Sequence, residues 1–384
     1  MTTQENVIYL DYHSTTPVDP RVAEKVMYYM INTFGNANSI DHEYGDKAAQ
    51  AVKQARQQIA ELIHASAKEI IFTSGATESI NLAIQGHIQQ NTPCKIIVSP
   101  VEHKAVLDTV QALAKKGLVE IIWLKVNSQA QIDLEHLEKV CSDGASLLCI
   151  MAANNEVGTI YPIEKIGLIA KKYNIPFLCD ASQAVGKIPI NFLDWTITYH
   201  AITGHRLYNT KGIGALAIKK GYHLQPIIYG GGHQQGIRSG TLNVPGIAGL
   251  GEACLLRKLE MEGEEKAIAI LRDKLQHSLQ TQIPDLVVNG DLNNRLSGNL
   301  HISIPEIPSS AIIARVRQQL AISTGASCSS GTMAPSHVLQ AMQLPENITE
   351  GALRIGIGKF TTNQEIETAS SLLTNAVNEI HQLI

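Results

Sequence analysis

The sequence is poor in charge. Lys, Arg, Asp and Glu make up 17% of its 384 residues, against roughly a quarter in an average soluble domain. So few charges leave much surface to be apolar or buried, and an oligomer is expected rather than a lone monomer. Neither sign dominates: 31 basic residues face 35 acidic ones, a net charge of −4, which gives nucleic acid or an anionic membrane no reason to bind. No apolar run approaches the roughly 20 residues of a membrane span. The opening Met1-Thr2-Thr3-Gln4-Glu5-Asn6 has neither the positive region nor the apolar stretch of a secretion signal, so a cytoplasmic location is expected. None of the six cysteines forms a Cys-x-x-Cys pair, which argues against a structural zinc site or a thioredoxin-like motif. A dinucleotide fingerprint is missing too, because Gly212-Ile213-Gly214 lacks the third glycine and leads into a strand.

What is present alternates. Short apolar runs predict strands over Ile70–Ser74, Lys95–Ser99, Glu120–Leu124, Ser146–Ala152, Pro176–Cys179, Thr196–Ile202 and Gly214–Ile218. Several are continuous rather than alternating, as strands buried on both faces are. Between them, Ala49, Val52, Ala55, Ile59 and Leu62 recur at helical spacing and predict an amphipathic helix over Asp46–His64. Strands alternating with helices give an α/β fold with a mostly parallel, doubly wound sheet. The pattern changes near Pro245. A long charged helix over Ala253–Gln280 leads to a strand near Leu300–Ile304, a helix over Ser309–Leu320, a strand near Ala352–Gly356 and a closing helix over Asn363–Leu383. The expected division is a large domain over 16–250 and a smaller α/β domain built from 1–15 and 251–384. Cys149 and Cys179 lie in apolar runs and read as small buried hydrophobes. Cys328 instead lies in Thr324-Gly325-Ala326-Ser327-Cys328-Ser329-Ser330-Gly331, a small, polar stretch that predicts an exposed loop.

Four strand ends carry polar groups, each with a plain structural alternative. Thr73-Ser74-Gly75-Ala76-Thr77 reads as a strand, a tight turn and a helix start, whose free amides suit a phosphate; the alternative is a capping turn with Thr77 as N-cap. Asp180 ends an apolar strand, where it could pair with a protonated pyridine nitrogen or cap the next helix. His103 follows a strand and could stack on a ring or move protons, or only start a helix. Asn154-Asn155-Glu156-Val157-Gly158 supplies amides at the same edge, or only a turn. In a doubly wound sheet all four would meet at the carboxyl edge, where ligands bind.

Together with further stretches, these residues give the chain a resemblance to the cysteine desulfurase family, most closely its NifS/IscS-like branch, which consists of fold-type I pyridoxal-phosphate (PLP) enzymes. The matching segments include Tyr9-Leu10-Asp11-Tyr12, Thr15–Arg21, Phe34-Gly35-Asn36, Gly75–Ser79, Glu102–Val106, Asn154–Gly158, Asp180–Gln183, Gly230–His233, Arg238–Thr241, the Cys328 stretch and Arg354. The resemblance implies that Ala76, Thr77, Thr203 and His205 hold the cofactor phosphate and that His103 stacks on the ring. It implies that Asn155 and Gln183 bond the ring hydroxyl region and that Asp180 pairs with the ring nitrogen. Thr241 would reach the phosphate of a partner subunit in a homodimer. Asn38 and Arg354 would hold the substrate carboxylate. Cys328 would take sulfur from L-cysteine as a persulfide, leaving L-alanine, for a sulfur-acceptor protein in iron–sulfur cluster assembly or another transfer.

One position departs sharply. The family carries its Schiff-base lysine after a Gly-His pair, and Gly204-His205 is followed here by Arg206. A guanidinium stays protonated and is a poor nucleophile, so Arg206 cannot form the internal aldimine. Activity is placed in doubt, with PLP held noncovalently. Lys187 and Lys211 are the nearest lysines in sequence. The other departure, His13, carries no inference at this stage. Two alternatives remain open: a catalytically inactive scaffold or sulfur acceptor, and a different PLP reaction such as transamination or selenocysteine cleavage.

Overall fold

Every apolar run named above forms a strand in the computed structural model, which describes residues 7–88, 94–324 and 336–383. After β1 (Ile8–Tyr9) come β2 (Ile70–Thr73), β3 (Cys94–Val98), β4 (Val119–Trp123), β5 (Leu147–Cys149), β6 (Phe177–Asp180), β7 (Tyr199–Thr203) and β8 (Gly214–Ile218). Strands β2 to β8 form one sheet in the order β2-β8-β7-β6-β5-β3-β4. β3 to β7 run parallel. β8 runs antiparallel to both β7 and β2, because residues 204–213 are too few for the crossover of roughly a dozen residues that a parallel return needs.

The helices α1 (Pro20–Ile31), α2 (Glu43–Ile63), α3 (Ala76–Ile88), α4 (Lys104–Lys115), α5 (Leu134–Ser142), α6 (Ile163–Lys172) and α7 (Val244–Gln282) accompany this sheet. Successive strand residues feed opposite layers. Ile70, Phe72, Ile97 and Leu148 pack with α2 and the start of α7. Ile71, Ile96, Val98 and Leu147 pack with α3 and α4. Burial on both faces explains why the strands read as continuous apolar runs. No helix among the described residues is long and apolar enough to cross a membrane.

The sequence placed the start of the long helix too late. α7 begins at Val244 because Asn243 accepts the Gly246 amide at 3.1 Å. Pro245 falls in the first turn, where no amide proton is needed. This one helix serves two apolar clusters. Ile247, Leu250 and Cys254 belong to the sheet's core. Ile268, Leu275 and Leu279 pack with a second cluster containing Leu300, Ile302, Leu353 and Ile355. That cluster covers a small antiparallel sheet, β12-β10-β9, of β9 (Val287–Val288), β10 (Asn299–Ser303) and β12 (Ala352–Gly356). The helix from Ser309 stops at Val316, short of the expected Leu320, because Leu320 opens β11 (Leu320–Ala321), which pairs in parallel with β1.

Candidate active site

The carboxyl ends of β2, β5, β6 and β7 open into a cavity of about 460 Å³. Ala76, Thr77, His103, Asn155, Asp180, Gln183, Thr203, His205 and Arg206 all lie on its wall. Nine positions spread over 131 residues of sequence therefore meet in one place, as the sheet-edge rule requires.

One end of the cavity is built for an anion. α3 starts at Ala76, so the Ala76 and Thr77 amides lie in a first turn without intrahelical acceptors. Thr77 sits inside the helix and is not its N-cap. Glu78 shares this turn, accepting from the Ser74 amide at 2.8 Å, but Arg238 pairs with it at 2.7 Å and offsets its charge. Gly214 is required beside the turn, since a Cβ there would fall 2.6 Å from the Gly75 Cα. That close approach brings Lys211 and Gly212 onto the wall. Thr203 is almost fully buried. His205 bonds Thr15 Oγ1 through Nδ1 at 3.1 Å. Burial, then the Arg206 and Lys211 charges, push its pKa down to about 4, so the ring is neutral at physiological pH. Thr16 clamps the same turn: its Oγ1 donates to the His205 carbonyl at 3.0 Å and accepts the Tyr208 amide at 3.0 Å.

The other end carries the buried Asp180, whose Oδ1 accepts from the Ser182 amide at 2.9 Å and the Ser182 hydroxyl at 2.6 Å. The carboxylate thus closes a turn and also faces the cavity. That turn leads to Gln183, whose amide orientation is fixed. Its Oε1 accepts Lys187 Nζ at 2.8 Å and lies 3.2 Å from His13 Nδ1. Its Nε2 donates to the His13 carbonyl at 3.0 Å. His13, for which the sequence offered no role, is a positioning residue.

His103 starts a helix, as its plainer reading had it, and also faces the cavity. It is the N-cap of α4, with Nδ1 accepting the Ala105 amide at 3.1 Å, and it lines the cavity. This cap commits the neutral ring's proton to Nε2. Asn155 is delivered by the fully buried Asn154, whose Oδ1 accepts the Glu156 and Val157 amides at 2.8 and 3.0 Å and whose Nδ2 donates to the Val101 carbonyl at 3.0 Å. The sequence offered amides at the sheet edge or only a turn there, without this buried network. Arg206 ends a short 3₁₀ turn after β7 and sits half-buried on the wall.

Three expected residues lie off the wall. Arg354, on β12, is buried and pairs with Asp11 at 3.0 Å while donating to the Asn155 carbonyl at 3.1 Å. Asn38 is exposed, and its amide donates to Asn36 Oδ1. Thr241 lines a separate hollow of about 310 Å³ with Met30, Phe34 and Leu242. Cys328 lies outside the described residues.

The sequence profile of the family described as Aminotransferase class-V matches residues 8–368. The chain belongs to the class-V aminotransferases. A cysteine desulfurase IscS of Anaeromyxobacter dehalogenans is 40% identical over 380 residues, 98% of this chain and 94% of that one. A solved NifS-like protein superposes with a TM-score of 0.91 at 34% identity, covering 97% of this chain and 100% of the other. SspA in complex with cysteine superposes at 0.78 with 31% identity, covering 92% and 99%. The class-V family is PLP-dependent and the chain is one of its α/β enzymes. The cavity fits that cofactor: a helix N-terminus and a neutral imidazole suit its phosphate, and a buried carboxylate suits its ring nitrogen. The exception is residue 206, where the wall carries a guanidinium.

Proposed function

We propose that this chain is a cysteine desulfurase, turning L-cysteine into L-alanine and passing the sulfur to Cys328 as a persulfide for an acceptor protein. One observation carries the reading: both flanks of 325–335, the segment with Cys328, are tied to the site. On one flank Ser323 exchanges backbone hydrogen bonds with Arg354 at 2.7 and 3.2 Å. On the other, Ser336 caps the helix His337–Ala341, and His337 Nε2 lies 2.9 Å from the carbonyl of Glu102, the neighbour of His103. A persulfide-forming thiol must reach the substrate and then leave it.

Bound in the cavity, PLP would supply an electron sink for bond breaking at the substrate α-carbon. The Ala76 and Thr77 amides, Thr203 and His205 would hold its phosphate, and Asp180 its ring nitrogen. Asn155 and Gln183 would meet its hydroxyl. His103 would stack on the ring; with Nδ1 committed to its cap, it donates a proton from Nε2 more readily than it accepts one. Arg354 and Asn38 would receive the substrate carboxylate, with Arg354 Nη2 exchanging Asp11 for it. Arg206 removes the amine expected at its position and lowers activity. The scaffold reading rests on Arg206 alone and leaves the assembled cofactor wall without a purpose.

A homodimer completes the reading. Met27, Tyr28, Met30, Ile31 and Phe34 form an apolar surface, each more than half exposed, beside the hollow that holds Thr241. Exposed apolar area of this kind marks an interface, and Thr241 would serve the partner's phosphate from there. The domain division near residue 250 and a cytoplasmic location belong to the same reading. The test is mass analysis of the Cys328 peptide from Arg206→Lys protein given PLP and L-cysteine. A gain of one sulfur atom, absent in the Cys328→Ser double variant, is expected. Alanine release with no sulfur on Cys328 would overturn the assignment.

A further inference from the structure

Resting on the PLP reading above, we infer that Lys187 supplies the amine that residue 206 lacks, and that it is the residue to which an aromatic aldehyde cofactor attaches in this chain. The geometry selects it. Lys187 Nζ is 2.8 Å from Gln183 Oε1, and Gln183 is on the cavity wall. The turn that carries Lys187 abuts the Arg206 turn: a Cβ on Gly186 would fall 2.6 Å from Leu207 Cδ2 and 3.0 Å from Arg257 Cγ. In PLP the hydroxyl lies between the aldehyde and a methyl group, and the contact of the Gly186–Lys187 turn with Leu207, next to position 206, selects the aldehyde side for an amine beside Gln183.

The two other lysines near the site are placed for different work. Lys211 is exposed and lines the cavity with Gly212, just before Gly214 packs against the Gly75 turn at the phosphate end. Lys359 is committed to Asp19 at 2.5 Å. Lys187 lies behind the wall residue Gln183 and is partly exposed; the Arg206, Arg257 and Arg354 charges act on it with Glu265 as the opposing charge, and His13 shares its contact with Gln183. Burial, then the Arg206 charge, lowers its pKa to about 7, so a large fraction is the neutral amine that attack requires. Arg206 thus removes one amine and, after burial, favours the neutral form of another. The step balances without redox change: the Lys187 nitrogen adds to the aldehyde carbon, the carbon–nitrogen double bond forms, and the carbonyl oxygen leaves as water. Returned to its free form, the same amine is a base of suitable strength for a substrate proton, the task that the capped Nδ1 of His103 makes difficult for that ring.

The experiment uses the wild-type chain. Protein is equilibrated with PLP, retention is measured by dialysis, and a second portion is reduced with borohydride, digested and mapped by mass spectrometry. The pyridoxyl mass is expected on Lys187. It should be lost in Lys187→Arg with PLP still retained on dialysis, be kept in Lys211→Arg, and move to position 206 in Arg206→Lys. Label on Lys211, label scattered over surface lysines, or retained PLP without any label would overturn the inference and leave the cofactor reading standing. Failure to retain PLP at all would overturn both. The wild-type map stands even if Lys187→Arg fails to fold.

Discussion

Asp180→Asn separates two tasks held by one carboxylate. Oδ1 accepts the Ser182 amide and hydroxyl at 2.9 and 2.6 Å and so closes the turn leading to Gln183 and Lys187. An amide oxygen can accept the same two bonds, so Asp180→Asn should unfold within about 1 kcal/mol of wild type. The charge is lost, however. A hydrogen bond to a charged buried group is worth about 1.5–3 kcal/mol, and the affinity for PLP should fall about 10- to 150-fold. Asp180→Ala removes both functions and should also unfold about 2–3 kcal/mol more easily. Equilibrium dialysis of PLP and urea unfolding on the three proteins give the two numbers separately. Wild-type PLP affinity in Asp180→Asn would refute the pairing of Asp180 with the ring. Equal instability of the two variants would refute the division of tasks.

Asn154→Ala strands two buried amides and one carbonyl, and should lower stability by about 2–5 kcal/mol in urea unfolding. Arg257 is buried between Glu264, Glu265 and the Gly186 carbonyl; Arg257→Ala leaves carboxylates behind and should destabilise by about 3–5 kcal/mol. Acid should unfold the protein early. Burial holds His200 and His301 at about 3, His205 at about 4 and His13 well below the usual imidazole range. These groups take up protons only on unfolding, so their contribution is lost as pH falls below 6.5. Glu102 and Glu156, both raised by burial, the latter to about 7, act in the opposite sense. Burial also lowers His87 and His337 and raises Glu265, so lowered histidines outnumber raised carboxylates and unfolding near pH 5 takes up protons, each worth about 1.4 kcal/mol per pH unit. Urea midpoints at pH 5 and 6 check this, and a flat profile would contradict it.

The central sheet was legible because its strands are buried on both faces and so are apolar without interruption. Five wall residues, Ala76, Thr77, His103, Asn155 and Asp180, were legible because each follows such a strand or its neighbouring turn, whereas Gln183, Thr203, His205 and Arg206 were named only through the family resemblance. Other features depend on contacts that no local pattern records. His13 meets Gln183 across 170 positions, and β1 is two residues whose only signal is its partner β11. Pro245 read as the end of one pattern although it opens α7, since proline suits both a break and a first helical turn. Asn154 looked like a turn residue; its four buried side-chain hydrogen bonds became visible only with the surrounding structure. Lys187 was named merely as a nearby lysine, and what distinguishes it, the contact with Gln183 under the charge of Arg206, is tertiary.

As proposed, the chain is a cysteine desulfurase with a guanidinium at position 206 where the family carries an amine. Alanine and sulfide release from L-cysteine, measured on PLP-loaded wild type and Arg206→Lys side by side, tests it most directly. A positioned proton-transfer group contributes about 10²- to 10⁴-fold; Lys187 recovers only part of this in wild type, so Arg206→Lys should exceed it by up to that order. Equal rates in the two proteins, or no turnover in Arg206→Lys with PLP bound, would contradict it.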